Sequence, residues 1–184
     1  MWDPSGDRKS YPQIQRSPIS AEASPWLSIV DEYTRECLAL RVDRGVTSED
    51  VIDTIAELFA IRGVPNHIRS DNGPEFIADA LRHWLDHVGV KTLYIEPGSP
   101  WENGYAESFH SRFRDEFLAM EIFDSVRDAQ ALTATWRADY NTQRPHSSLD
   151  YLTPVEFAAA CAASTSAKAS VPAAHAGSLG LTCC

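Results

Sequence analysis

Residues 26–43 read WLSIVDEYTRECLALRVD. The runs WLSIVDEY and ECLALRVD are rich in aliphatic, β-branched and aromatic residues, and the polar YTRE at 33–36 separates them, which predicts a β-hairpin. The next stretch, TSEDVIDTIAELFAIRG (47–63), changes period. Thr47 or Ser48 caps a helix, Glu49 and Asp50 occupy its positive first turn, and Val51, Ile55, Leu58 and Phe59 form an apolar stripe. Gly63 stops the helix, and Pro65 lies just beyond. A hairpin followed by strand–helix alternation is the pattern of a mixed α/β sheet.

Working outward, HIRSD (67–71) reads as a short strand and KTLYIEP (91–97) as another. Between them Pro74 opens a helix whose apolar face holds Phe76, Ile77, Ala80, Leu81, Trp84, Leu85 and Val88, with Gly89 as its stop. The loop PGSPWENG leads into a long helix from about Tyr105 to Met120, with Ala106, Phe109, Phe113, Phe117 and Met120 as its buried stripe. A further helix carries Ala129, Leu132, Trp136 and Tyr140. Trp84, Trp136 and Tyr140 read as core. Residues 1–25, with four prolines and no periodicity, read as an irregular, divergent segment, and 161–184 as a disordered tail.

Bulk properties narrow the function. A chain of 184 residues is one ordinary domain, and 43% hydrophobic residues support a packed core. No apolar run reaches the ~20 residues that span a bilayer, and no signal pattern opens the chain, so a soluble cytoplasmic protein is expected. Cys37, Cys161, Cys183 and Cys184 lack metal-site spacing, which leaves Cys37 as a buried thiol. The net charge of −10 gives the chain little long-range pull on DNA, although a local basic groove remains compatible with it. Lys9, Lys91 and Lys168 are the only lysines among 16 cations. The arginine bias suits bidentate phosphate contact, and genomic base composition produces the same bias.

Two carboxylates stand in conspicuous contexts. Asp71 ends a strand and begins the turn sequence DNGP; such an aspartate can simply bond its own turn backbone, or it can face the rim where open α/β sheets bind ligands. Glu107 lies two residues from Phe109, hence ~200° around the helix, and points away from the buried stripe with Asn103, His110, Ser111 and Arg114 roughly on its side. An acid in a first turn also complements the helix dipole with no other role.

Three motifs, IRSDNGPEF (68–76), YIEPGSPWENGYAESFHSRFRDE (94–116) and YNTQRPHSSLDYLTPVEF (140–157), resemble the catalytic core of retroviral-type integrases, and most closely bacterial transposases of the IS3 family. The gap between Asp71 and Glu107, 107 − 71 − 1 = 35 residues, is the D,D-35-E spacing, and IVDEYTRECLALRVDR (29–44) also matches. The resemblance covers Trp26 to Phe157, roughly three quarters of the chain.

It implies a ribonuclease-H-like mixed sheet flanked by helices, and metal-dependent DNA strand cleavage and transfer, the chemistry of DNA integration and transposition. In the family three carboxylates hold two Mg²⁺ ions, for which Mn²⁺ can substitute. Asp71 and Glu107 match two of the three as catalytic and metal-binding residues. Asn103, between Gly98 and Gly104, matches the loop that lets DNA approach. Arg112, Arg114, Arg144 and His146 are the local cations suited to phosphate, each equally readable as a solvated surface residue; RPHSSL reads first as a turn ordered by Pro145.

The first catalytic aspartate, expected on a strand before the hairpin, has no counterpart near Tyr11 and Pro12, so the family's first, central strand is expected to be missing and the core, 26–160, truncated at its N-terminal side. The implied partners are DNA (transposon ends and target) and further subunits, either a homo-oligomer or full-length transposase, with no membrane and no small-molecule substrate. The alternative is a catalytically inactive transposase remnant that only binds DNA or associates with intact subunits.

Overall fold

The computed structural model describes residues 12–17, 26–70, 78–94, 104–121 and 123–169. Five strands form one mixed sheet: β1 (Pro12–Ser17), β2 (Trp26–Asp31), β3 (Cys37–Val42), β4 (His67–Ser70) and β5 (Lys91–Tyr94). Their order across the sheet is β3-β2-β1-β4-β5. The hairpin β2–β3 is antiparallel, β1 pairs antiparallel with β2 and parallel with β4, and β5 continues parallel to β4.

This corrects two expectations. The central strand is present: segment 12–17 lies between β2 and β4, with Gln13 opposite Val30 on one side and Arg69 on the other. The N-terminal 25 residues are therefore not irregular throughout. PQIQRS carries one aliphatic residue, so its strand state comes from ladder hydrogen bonds to two neighbours, which no local pattern announces. Pro12 is tolerated because it stands at the strand's first position.

Helix α1 (Ser48–Arg62) begins as expected. Thr47 is its cap, and a capping box closes when the Thr47 hydroxyl accepts from the Asp50 amide while the Asp50 carboxylate accepts from the Thr47 amide. Gly63, at φ 86°, ends it by donating to the Phe59 carbonyl. Helix α2 (Asp79–His87) buries Leu81 and Leu85. The expected start of this helix at Pro74 falls outside the described residues. With α1 it covers one sheet face through an aliphatic cluster that includes Leu27, Ile29, Leu38, Val51, Ile55 and Ile68.

The opposite face is aromatic. Helix α3 (Gly104–Phe113), continued by a π-helical turn at Arg114–Leu118, and α4 (Val126–Gln143) pack there around Trp26, Phe109, Phe113, Phe117, Trp136 and Tyr140. Met120, expected on the buried stripe, is 76% exposed. The wider π turn adds residues per revolution and the helix ends at Leu118, so the 3.6-residue register fails before position 120. Helix α5 (Pro154–Ala169) corrects the expected loose tail, because the chain is helical through 161–169. Its alanines have the highest helix propensity, a signal that a reading of the segment as low-complexity does not use.

Candidate functional site

The aromatic stripe fixes how α3 sits. Phe113 is fully buried, with ring centroids 4.9 Å from both Trp26 and Trp136 in edge-on geometry, and Phe109 meets Tyr140 edge-on at 5.1 Å. His110 was expected on the outward side. Instead it is buried, bonding Ser28 of β2 at 2.8 Å and meeting Trp26 edge-on, a pairing that no helical period encodes. Burial pushes its pKa down to about 4, with Arg114 adding to the effect, so the ring is neutral at neutral pH.

With Phe109 and Phe113 inward, Glu107 lies on the open side of the first turn of α3, exposed as the face analysis expects. Helix α3 packs against β1, the central strand, and β1 neighbours β4, whose last residue is Ser70. Asp71 follows directly and lies outside the described residues, as does Asn103.

The hairpin turn is organised by Asp31, whose carboxylate accepts from the amides of Tyr33 and Thr34 at 2.8 and 2.9 Å. Within the turn Arg35 adopts φ 62°, an uncommon conformation for a residue with a Cβ. Beside it Glu32 forms an ion pair with Arg69 at 3.0 Å and accepts a side-chain hydrogen bond from Gln13, tying the turn to β4 and β1. Burial raises the Glu32 pKa, and Arg69 partly opposes that.

The expected phosphate contacts separate into two groups. Arg112 and His146 line one cavity together with Arg35, which the sequence reading missed. Arg114 is exposed on another side of the helix, and Arg144 forms an ion pair with Glu116 while its guanidinium lies 5.6 Å from the Trp136 ring centre. His146 orders the RPHSSL turn through its backbone: its amide donates to the Leu152 carbonyl, and its carbonyl accepts from Leu149 and Tyr151.

Among the described residues no group of three or more His, Cys, Asp or Glu is placed to hold a metal. Strand β1, PQIQRS, carries no carboxylate. Mg²⁺, however, is commonly held by one or two carboxylates and completes its octahedral shell with water and substrate phosphate oxygens. The exposed Glu107 is one carboxylate of the kind such an ion takes, and the described residues offer no cage of three carboxylates.

A five-stranded sheet in the order 3-2-1-4-5 with helices on both faces is the ribonuclease-H-like fold of integrase catalytic cores. The catalytic core domain of bovine immunodeficiency virus (BIV) integrase superposes with a TM-score of 0.65, covering 85% of this chain and 97% of that one at 20% identity. The HTLV-2 integrase catalytic core domain, determined in complex with magnesium, superposes at 0.60, covering 80% and 94% at 14% identity. Two models described as Integrase core domain match residues 16–100 and 88–154. The chain belongs to the integrase core domain family, on its insertion-element, IS3-type branch. The uncharacterized 31.7 kDa protein of insertion element IS407 from Burkholderia multivorans is 44% identical over 133 residues, which is 72% of this chain and 48% of that protein. The chain thus spans about half the length of that relative.

Proposed function

We propose that this chain carries out metal-dependent DNA strand cleavage and transfer, with Asp71 and Glu107 as the protein ligands of a divalent cation, Mg²⁺ or its substitute Mn²⁺. The observation that supports this most is the exposed Glu107 in the first turn of α3, a helix packed against the central strand of an integrase-type sheet. Such an ion, when bound, polarises a phosphoryl oxygen and lowers the pKa of coordinated water. The chain's own contributions are positional. The Phe109 and Phe113 packing fixes the helix from which Glu107 projects, and the neutral His110 adds no charge beneath it.

DNA is the proposed substrate, and Asn103, Arg112, Arg114 and His146 are proposed to contact it. Arg144, already held by Glu116 and Trp136, has a smaller part. With two protein carboxylates, metal affinity is weaker than in a three-carboxylate site and depends on the DNA phosphates. Assembly with further subunits, as a homo-oligomer or with full-length transposase, is part of the proposal. Among the described residues no helix is long and apolar enough to cross a membrane.

The test is nicking and strand transfer of an end-labelled duplex in Mg²⁺ and Mn²⁺. Products that need the cation and vanish in Asp71→Ala and Glu107→Gln support the reading. The absence of products in either cation, or equal yields from the variants, supports the non-catalytic alternative instead.

A further inference from the structure

Glu107 and His110 stand three positions apart on α3 and are therefore neighbours on its surface, yet Glu107 is exposed and His110 is buried. The border between the open and the seated face of the helix runs between them. Two kinds of contact hold the seated face. The rings of Phe109 and Phe113 pack into the aromatic cluster, and such pairs stay favourable over ring separations of about 4.5–7 Å. His110 adds a hydrogen bond, which holds only over about 2.7–3.2 Å and weakens steeply as its angle bends. Its Nε2 meets Ser28 Oγ at 2.8 Å, and both side chains are buried. The ring is neutral, so the pair acts through direction rather than charge. The bond is the tighter restraint.

Magnitudes decide whether that matters for Glu107. At the ~6 Å radius of side chains about a helix axis, a rotation of about 10° moves an atom by about 1 Å. A metal–ligand distance is held to within about 0.2 Å. A rotation that the aromatic seat absorbs therefore exceeds what an ion at Glu107 accepts. The other end of the bond lies in the sheet. Ser28 pairs with Leu40 of β3 and with Gln15 of β1, and one residue back along β1 Ile14 pairs with Ser70, the last residue of β4. Asp71 follows Ser70 in the chain. One hydrogen bond thus ties the helix that carries Glu107 to rows of the sheet that reach the residue before Asp71.

We propose that His110 is a positioning residue: through its bond to Ser28 it fixes the rotation of α3, and so the direction in which Glu107 presents its carboxylate to a divalent cation. This role rests on the reading of Glu107 as a metal ligand.

The experiment measures Mn²⁺ affinity of the full chain in the presence of a DNA duplex, by electron paramagnetic resonance, beside the urea midpoint of each variant. Ser28→Ala and His110→Leu each break the bond and are expected to weaken Mn²⁺ binding about tenfold, the lower end of what groups that orient a metal ligand contribute. Ser28→Ala combined with His110→Leu removes both polar partners together. It is expected to unfold at no lower urea concentration than either single variant, and still to bind Mn²⁺ as weakly as they do. His110→Gln, whose amide reaches close to the position of Nε2 and can donate or accept, is expected to keep most of the affinity. Affinity that tracks the urea midpoint and recovers in the double variant shows a merely structural bond and overturns the proposal. So does a loss in His110→Gln equal to that in His110→Leu. Undiminished binding in Ser28→Ala and His110→Leu, with the ion lost in Glu107→Gln, overturns the positioning role and leaves Glu107 as a ligand. Undiminished binding in Glu107→Gln overturns both.

Discussion

The two faces of the sheet are built from different chemistry. Under α1 and α2 the buried core is aliphatic, with Leu27, Ile29, Val51, Ile55 and Ile68 packed against one another and a stacked Phe59–Trp84 pair at its margin. Under α3 and α4 it is aromatic, and polar groups are buried with the rings: the Ser28–His110 pair, Asn141 clamped on Cys37, and Thr133. Some buried polar atoms on that side, including Trp26 Nε1, Trp136 Nε1 and Thr133 Oγ1, have no hydrogen-bond partner among the described residues. The aliphatic side is a generic packing surface. The aromatic side, with its directional edge-on contacts and buried hydrogen bonds, sets the position and rotation of one helix, and that helix carries Glu107, Ser108 and Arg112.

Substitutions on each face can break this contrast. Phe113→Ala removes the ring at the centre of the aromatic cluster and is expected to cost about 3–5 kcal/mol in urea unfolding, whereas Ile55→Val on the other face costs about 0.5–1.5.

Acidification probes the same side. His110 is neutral in the fold, with a pKa of about 4 against an ordinary 6.5, so the unfolded chain binds the proton more readily. Its contribution is complete above pH 6.5 and is lost as pH falls towards 4, by about 3 kcal/mol. Urea midpoints at pH 7 and 4.5 measure it, and Ser28→Ala, which removes the partner but not the burial, keeps the direction.

Asn141 sharpens the contrast further. Its side-chain oxygen accepts from the Cys37 amide at 2.8 Å and its amide donates to the Cys37 carbonyl at 2.9 Å, fastening α4 to the edge strand β3. Asn141→Ala leaves both backbone groups without partners, for a loss of about 1–3 kcal/mol by chemical unfolding. Smallest is Thr47→Ala on the aliphatic side. It opens the capping box of α1 at a cost of about 1 kcal/mol, read as a shift of roughly 2–4 °C in Tm.

Legibility in the sequence followed the source of each element's stability. The hairpin, α1 and α4 carry their own patterns: paired apolar runs, a capping box and a three-and-four spacing of rings. Strand β1 carries none. It is held by β2 and β4 on either side, so an irregular reading of PQIQRS followed from looking only along the chain. For the site, the exposure of Glu107 was legible from its angle to the Phe109–Phe113 stripe, whereas the same argument misplaced His110. The inward turn of His110 depends on Ser28, 82 positions away, and the Arg35 wall depends on a left-handed turn residue; neither is a local signal. Arg112 and His146 were legible as cations, but their convergence on one cavity required the fold.

The proposed sharing of one ion by Asp71 and Glu107 is tested most directly by Mn²⁺ binding in the presence of a DNA duplex, followed by electron paramagnetic resonance. Asp71→Ala, Glu107→Gln and the double variant should each lose the same bound ion, the double variant losing no more than either single one, with urea stability unchanged for Glu107→Gln. Undiminished Mn²⁺ binding in either single variant, or losses that add in the double variant, would show two unrelated carboxylates and contradict the account.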